Sequence, residues 1–386
     1  MKYLKKILFY LFLTFTLLFI SEVILRKNKI SNPLITQPDG VLGFKLIPGL
    51  SVHLPPFKIL YKTNFLGFRD DDWNVKNTFY SIGLFAGELG DPHNLDIHES
   101  LSFYIESDLN QFCPGEKQYE VFNLSVENYS VLQSYLTWRK SGKDLNLNLN
   151  IMVSQPEDFF NLNWNNLSTN PLLKPESLKE NKLVIDWLFE SKFGFKLLSN
   201  ESIWDLYYHL SRLRFIQTLN FLKSYLMGGV NYSILKNYSR VLQVQNDKIE
   251  RNINFENFLL DSDQRKISVK LMMFLLKEMN LEIQSNKGKF FWVRSPSLSE
   301  LTLNAPSNSQ LDGLKKLDED ITNELSKNAL ETFNIGPPLK TFVTSHQTNL
   351  MDNYPMIPHK YLNAQGHKEM AFLIAQKICL MLGQTK

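Results

Sequence analysis

Few residues in this chain are able to do acid–base, nucleophilic or metal chemistry: seven histidines, two cysteines and some serines near the ends of apolar runs. The densest group is DPHNLDIHE (Asp91–Glu99), where His93 and His98 stand among Asp91, Asp96 and Glu99. Imidazoles and carboxylates at short spacing ligate a metal when the fold converges them, but the loop character of this stretch predicts a solvated loop and no metal. Near the C-terminus His359, with Asp352 upstream, is the best candidate for a general base; its ordinary reading is a solvated or hydrogen-bonded loop histidine. Ser81, Ser125 and Ser154 lie near strand ends and are conceivable nucleophiles if a base adjoins them, although serines in such turns ordinarily cap backbone. Cys113 and Cys379 are too few for a disulfide framework or a multi-cysteine zinc site. One bridge and two isolated buried thiols both fit. No cofactor is expected.

Five short apolar runs read as the strands that must position these groups: Thr78–Ala86, Tyr119–Val126, Leu149–Ser154, Lys289–Ser295 and Leu339–Ser345. Near-continuous apolar runs suit parallel strands covered on both faces, with helical patterns of crossover length between them. The last helix is legible as one stripe of Ala371, Ile374, Ala375, Ile378, Met381 and Leu382, with Cys379 beside it and Gly383 at its end. Residues 160–285 exceed a simple crossover and read as a mainly helical insertion. Its stripes are Ile203, Leu206, Tyr207, Leu210 and Leu213, capped by Ser199 or Asn200, and Ile267, Leu271, Phe274 and Leu275.

Upstream, residues 30–75 are rich in Pro, Gly and Asn and predict an extended lead-in, with a turn at Gly67 in TNFLGFRDDDW. Residues 1–29 predict an anchor. Ile7–Leu25 is almost wholly apolar, and nineteen helical residues reach about 28 Å, close to a bilayer's hydrocarbon thickness. No small-residue cleavage pattern follows, so an uncleaved single-pass helix is expected. Lys2, Lys5 and Lys6 hold the N-terminus inside, which leaves the body extracytoplasmic. Six cations against Glu22 give this segment a charge of +5, so the rest of the chain carries −2 of the total +3. A weakly acidic body offers no basic face for nucleic acid.

Three stretches carry a resemblance: TNFLGFRD (Thr63–Asp70) before the first strand, VFNLSVENYSVLQ (Val121–Gln133) around the second, and YLNAQGHKEMA (Tyr361–Ala371) opening the last helix. In order and spacing the chain resembles the SGNH/GDSL hydrolases, in particular their bacterial membrane-anchored members. The likeness covers residues 1–160 and 286–386. It implies a three-layer α/β/α, flavodoxin-like parallel sheet over residues 76–386 and acyl-ester hydrolysis or transfer. That chemistry uses a serine nucleophile, a histidine base with an orienting aspartate, and an oxyanion hole.

The family's residues do not transfer. The nucleophile position falls on Ala86, which has no oxygen to attack with. The oxyanion glycine position falls on Asn128, and the oxyanion asparagine on Glu157, whose carboxylate repels a developing oxyanion. Asn363, Gly366 and His367 keep their places, which puts His359 on the aspartate and Tyr361 on the histidine, and a tyrosine is a poor base near neutrality. The resemblance therefore implies a catalytically degenerate pseudoenzyme of the cell envelope that binds or scaffolds an acylated glycan or an envelope protein partner. An active esterase or acyltransferase with a relocated nucleophile, and a purely structural envelope protein, are the alternatives.

Overall fold

A computed structural model of the chain describes residues 2–27, 33–54, 59–73, 79–113, 118–164, 171–186, 255–301, 307–328, 330–354 and 357–383, with 206, 208–210, 213 and 216. Helix α1 (Lys2–Lys27) opens the chain. Two antiparallel hairpins follow, β1 (Thr36–Asp39) with β2 (Gly43–Leu46), and β3 (Ser51–Leu54) with β4 (Ile59–Lys62). This lead-in is extended, as its composition predicts, and it packs into the core. Phe44, Leu46, Leu54 and Tyr61 are all buried. Tyr129 donates to the Phe44 carbonyl at 2.6 Å and Gln133 to the Leu42 carbonyl at 2.8 Å.

At the end of the lead-in Gly67 takes φ +87°, and a Cβ there would lie 2.8 Å from the Leu46 carbonyl oxygen. Only glycine meets both demands without strain.

The central sheet is parallel. Its strands in chain order are β5 (Tyr80–Phe85), β6 (Tyr119–Asn123), β7 (Leu149–Ser154), β10 (Lys289–Arg294) and β11 (Thr332–Asn334), and their spatial order is β6-β5-β7-β10-β11. Strands β8 (Leu172–Leu173) and β9 (Ile185–Asp186) form a separate small hairpin. Side chains alternate across the pleat. Ile82, Leu84, Ile151 and Val153 enter one core cluster, while Phe85, Met152 and Trp292 enter the other.

Helices α3 (Leu101–Phe112) and α11 (Ala364–Met381) cover the first face. On the second lie the lead-in, α4 (Val131–Thr137) and α8 (Ser262–Ser285). The chain also forms α2 (Gly87–Gly90), α5 (Pro156–Trp164), α6 (Glu176–Glu180), α7 (Phe255–Leu260), α9 (Asn308–Leu325), α10 (Gly336–His346) and the hairpin β12 (Met351–Tyr354) with β13 (Ile357–Leu362). Cys113 at the end of α3 is bonded to Cys379 of α11, 266 residues away in sequence. Of the two readings left open for the cysteines, the bridge is the one observed.

The expected strand Leu339–Ser345 is instead the body of helix α10. Pro337 and Pro338 occupy its first turn, where their missing N–H groups cost no hydrogen bond, and Leu339 and Val343 are buried one turn apart. The fifth strand is the short Thr332–Asn334 just before it, with half-buried side chains and hence little apolar signature.

The final helix forms as predicted, with Ala371, Ile374, Ala375 and Ile378 buried. Asn363 caps it by accepting from the Gly366 amide at 2.8 Å. In the insertion, α8 realises the second predicted stripe through Leu271 and Leu275, whereas Ile267 is exposed. Of the first stripe, Leu206, Leu210 and Leu213 are exposed. Ile203, Tyr207 and the caps Ser199 and Asn200 lie outside the described residues.

Helix α1 exposes apolar side chains on all sides, including Phe9, Phe12, Phe15, Leu17 and Phe19. Some of its side chains are not described, and among the described residues no helix is long and apolar enough to cross a membrane. The anchor therefore rests on the sequence.

Candidate functional site

A pocket of about 350 Å³ opens at the carboxyl ends of β5 and β7, the edge where parallel α/β sheets ordinarily bind ligands. Its wall includes Ala86, Asn128 and Glu157, so the fold brings three of the five sequence-derived positions together. Ala86 immediately follows β5, and its amide donates to Ser125 Oγ at 2.9 Å. Asn128 takes φ +64°, in the left-handed region that asparagine tolerates better than any residue but glycine.

Glu157 and Asp158 lie in the first turn of α5, the helix that begins at Pro156 directly after β7. Ser297 donates to Glu157 Oε1 at 2.5 Å, while Oε2 is buried without a hydrogen-bond partner. Burial pushes the Glu157 carboxyl above its ordinary range, with Glu300 adding repulsion and the Ser297 bond opposing. Asp158 accepts from the Gln155 amide at 2.7 Å. Burial, the larger influence, nonetheless pushes its carboxyl up to about 7.

Tyr361 is buried and is not part of this pocket's wall. Its hydroxyl donates to Glu127 Oε1 at 2.9 Å. Burial, followed by the charges of Glu127 and Glu88, drives its pKa far above the ordinary value, so it holds its proton. Glu88 lines the pocket, which places Tyr361 in electrostatic contact with that wall. The side chains of His359 and Asp352 lie outside the described residues.

The DPHNLDIHE loop is not solvated at its start, contrary to expectation. Asp91 and His93 are buried, whereas His98 is exposed. His93 Nδ1 lies 2.7 Å from Glu127 Oε2, and its Nε2 lies 3.8 Å from Asp91. Asp91 also takes the Tyr61 hydroxyl at 2.9 Å and the Glu127 amide at 3.0 Å. Burial favours the neutral imidazole, but Glu127 and Asp91 together outweigh it and raise the His93 pKa to about 9. The result is a buried network of opposite charges, held together because a buried charge is tolerated only when paired, although His93 Nε2 has no hydrogen-bond partner in it. Among the described residues no group of three or more His, Cys, Asp or Glu forms a metal site.

Arg69 completes this layer. It is buried against the Tyr61 ring, 4.8 Å from its centroid, and donates to the carbonyls of Pro92 and Leu95. The neighbouring Asp70 accepts from the Asn123 amide and the Trp73 indole, each at 2.8 Å. The NFLGFRD stretch thus clamps the loop after β5 to the end of β6. His367 lies at the start of α11 as expected. Burial, reinforced by the Arg69 charge, lowers its pKa to about 3.

The serines raised as relocated nucleophiles are engaged or misplaced. Ser125 is bonded to the Ala86 amide and the Leu84 carbonyl. Ser154 accepts from the Trp292 indole at 2.8 Å. Ser81 sits at the amino end of β5, bonded to Asn148. Among the described residues no histidine lines the pocket.

Sequence reasoning missed Glu127, Gln155 and Ser297. Each acts through a partner distant in sequence or through a cavity, and only Gln155, directly before Pro156, carries a local cue for a strand-to-helix turn. No protein-family model matches the chain, and no curated protein sequence matches it.

Proposed function

We propose that this chain is a membrane-anchored, catalytically degenerate relative of the SGNH/GDSL hydrolases, with an extracytoplasmic body that binds an acylated glycan at the carboxyl edge of its sheet. The observation that carries the reading is the pocket itself: it is open and flanked by Ala86, Asn128 and Glu157, with a methyl group where acyl chemistry needs an oxygen. The strand order, 2-1-3-4-5 in chain ranks, supports the flavodoxin-like reading. Asn128 keeps a positive φ at the position where the family has glycine.

An extracytoplasmic body is supported by the Cys113–Cys379 bridge, since disulfides persist in oxidising compartments. The anchor is supported by the apolar side chains that α1 leaves uncovered by the body, because a helix apolar all round needs an apolar surrounding. A purely structural protein with a plugged cleft is disfavoured by the cavity's volume, which lies in the range of small-ligand pockets. A relocated serine nucleophile is disfavoured by the bonds that hold Ser125 and Ser154.

The test uses the full chain in detergent. A fluorophosphonate probe is expected to label no serine, and butyryl and acetyl esters are expected to turn over no faster than in buffer. Labelling that one serine replacement abolishes would restore the enzyme reading. Retention of the chain in membranes after alkaline extraction, with the body protected from protease in intact cells, is the expected topology.

A further inference from the structure

The turn before Gly67 presents two large apolar side chains where turns ordinarily carry Gly, Pro, Asn, Asp or Ser. Phe65 and Leu66 occupy the central positions of a β-turn closed by the Gly67 amide, which donates to the Asn64 carbonyl at 3.0 Å. They are 58% and 40% exposed. The turn is braced from within. Asn64 Oδ1 accepts from the Leu66 and Phe68 amides at 3.1 and 2.9 Å, and Asp72 accepts from the Phe65 amide at 2.9 Å. A braced turn has little freedom left to lose when its side chains meet a partner. Exposed Pro48 adjoins it, its Cγ 3.4 Å from where a Cβ on Gly67 would stand.

The position of this apolar tip says what covers it. Ile35, where the chain enters the body, has its carbonyl bonded to the Ile47 amide at 2.9 Å. Two residues on, the Gly49 amide is bonded to the Asn64 carbonyl at 2.9 Å. Entry point and tip therefore flank one short segment and lie within about 20 Å of each other. Only a short tether separates Ile35 from α1, which ends at Lys27.

We propose that the Phe65–Leu66 turn inserts into the lipid interface beside the anchor, a second foothold that fixes how the body faces the membrane. The inference rests on the membrane-anchor reading above and adds a contact that a tether alone does not make. Exposed Lys62 just upstream is outnumbered by exposed Asp71 and Asp72 downstream. The attachment is therefore apolar, drawn from burial at the headgroup boundary and not from anionic lipid.

The test uses the full chain in phosphatidylcholine liposomes doped with nitroxide-bearing lipid. Cys113 and Cys379 are bonded to each other, so a single engineered cysteine takes an NBD fluorophore selectively. The label at Leu66→Cys is expected to be quenched at least about threefold more than at Thr344→Cys, an exposed position on α10. Adding Phe65→Ser is expected to bring the Leu66→Cys signal toward that control. Leu17→Cys reports the anchor. Quenching at position 17 with none above control at position 66 overturns the inference and leaves the anchor standing; quenching at neither overturns both. An unchanged signal with Phe65→Ser overturns the inference in favour of mere closeness to the tether. A signal at position 66 that needs phosphatidylglycerol overturns it in favour of charge attraction through Lys62. The comparison of positions 66 and 344 stands even if the Phe65 variant fails to fold.

Discussion

Replacing Glu127 by Gln tests whether the buried network is held together by charge or only by hydrogen bonds. Gln keeps the size and an acceptor for the Tyr361 hydroxyl, and removes the carboxylate that lies 2.7 Å from His93. His93 has a folded pKa of about 9 against an unfolded value near 6.5, and 1.36 kcal/mol per unit makes the linked stabilisation about 3 kcal/mol. The folded state binds this proton more tightly, so the stabilisation is whole below pH 6.5 and is lost as pH rises through about 9. Burial opposes the shift, and Glu127 is the largest of the influences that favour it. The variant should therefore lose about 2–3 kcal/mol at pH 6 and almost nothing at pH 10, where wild-type His93 is neutral. Guanidinium unfolding of both proteins at the two pH values, followed by tryptophan fluorescence, gives the difference directly. An equal loss at both pH values would refute the electrostatic reasoning, as would a loss under about 0.5 kcal/mol at pH 6.

Three further outcomes are expected. Ala86→Ser should create no esterase activity and no fluorophosphonate labelling, because a serine there finds no histidine among the described residues of the pocket wall; labelling at position 86 contradicts this. Removing the Cys113–Cys379 bridge, by reduction or by the double alanine variant, should lower the melting temperature. Loop-closure entropy for 266 residues sets an upper bound of about 6 kcal/mol, and an unchanged melt under reductant would count against the bridge. Asp158 titrates at about 7 in the folded state against an ordinary 3.8, so its cost appears as pH rises above 4 and is complete above 7. Asp158→Asn should flatten thermal stability across that window and raise it at pH 8, by up to about 4 kcal/mol; an unaltered pH profile sinks the assignment.

Much of the sheet was legible because a strand buried on both faces is a local property of sequence. Tyr80–Phe85, Tyr119–Asn123, Leu149–Ser154 and Lys289–Arg294 all fall within predicted apolar runs. The fifth strand failed for the converse reason. Thr332–Asn334 is short, at the sheet's edge and half-buried, while Leu339–Ser345 has the aromatic and β-branched content of a strand yet sits behind two prolines that start a helix.

The site divides in the same way. Positions at strand ends, Ala86 and Glu157, follow from the placement of the strands. His93 does not: its burial depends on Tyr61 and Arg69 of the lead-in and on Glu127 after β6, and nothing in its own neighbourhood records them.

The packed lead-in has a further consequence. Residues 33–54 and 59–73 bond to the body through Phe44, Leu42 and Tyr61, so they are no stalk. Only the stretch between Lys27, where α1 ends, and Ile35, already buried in the core, is left to act as a tether. Eight residue steps of fully stretched chain span at most about 28 Å. With α1 seated in a bilayer as proposed, the domain rides within that height of the lipid headgroups. On the reading proposed above, a bound glycan would then be held close to the membrane surface.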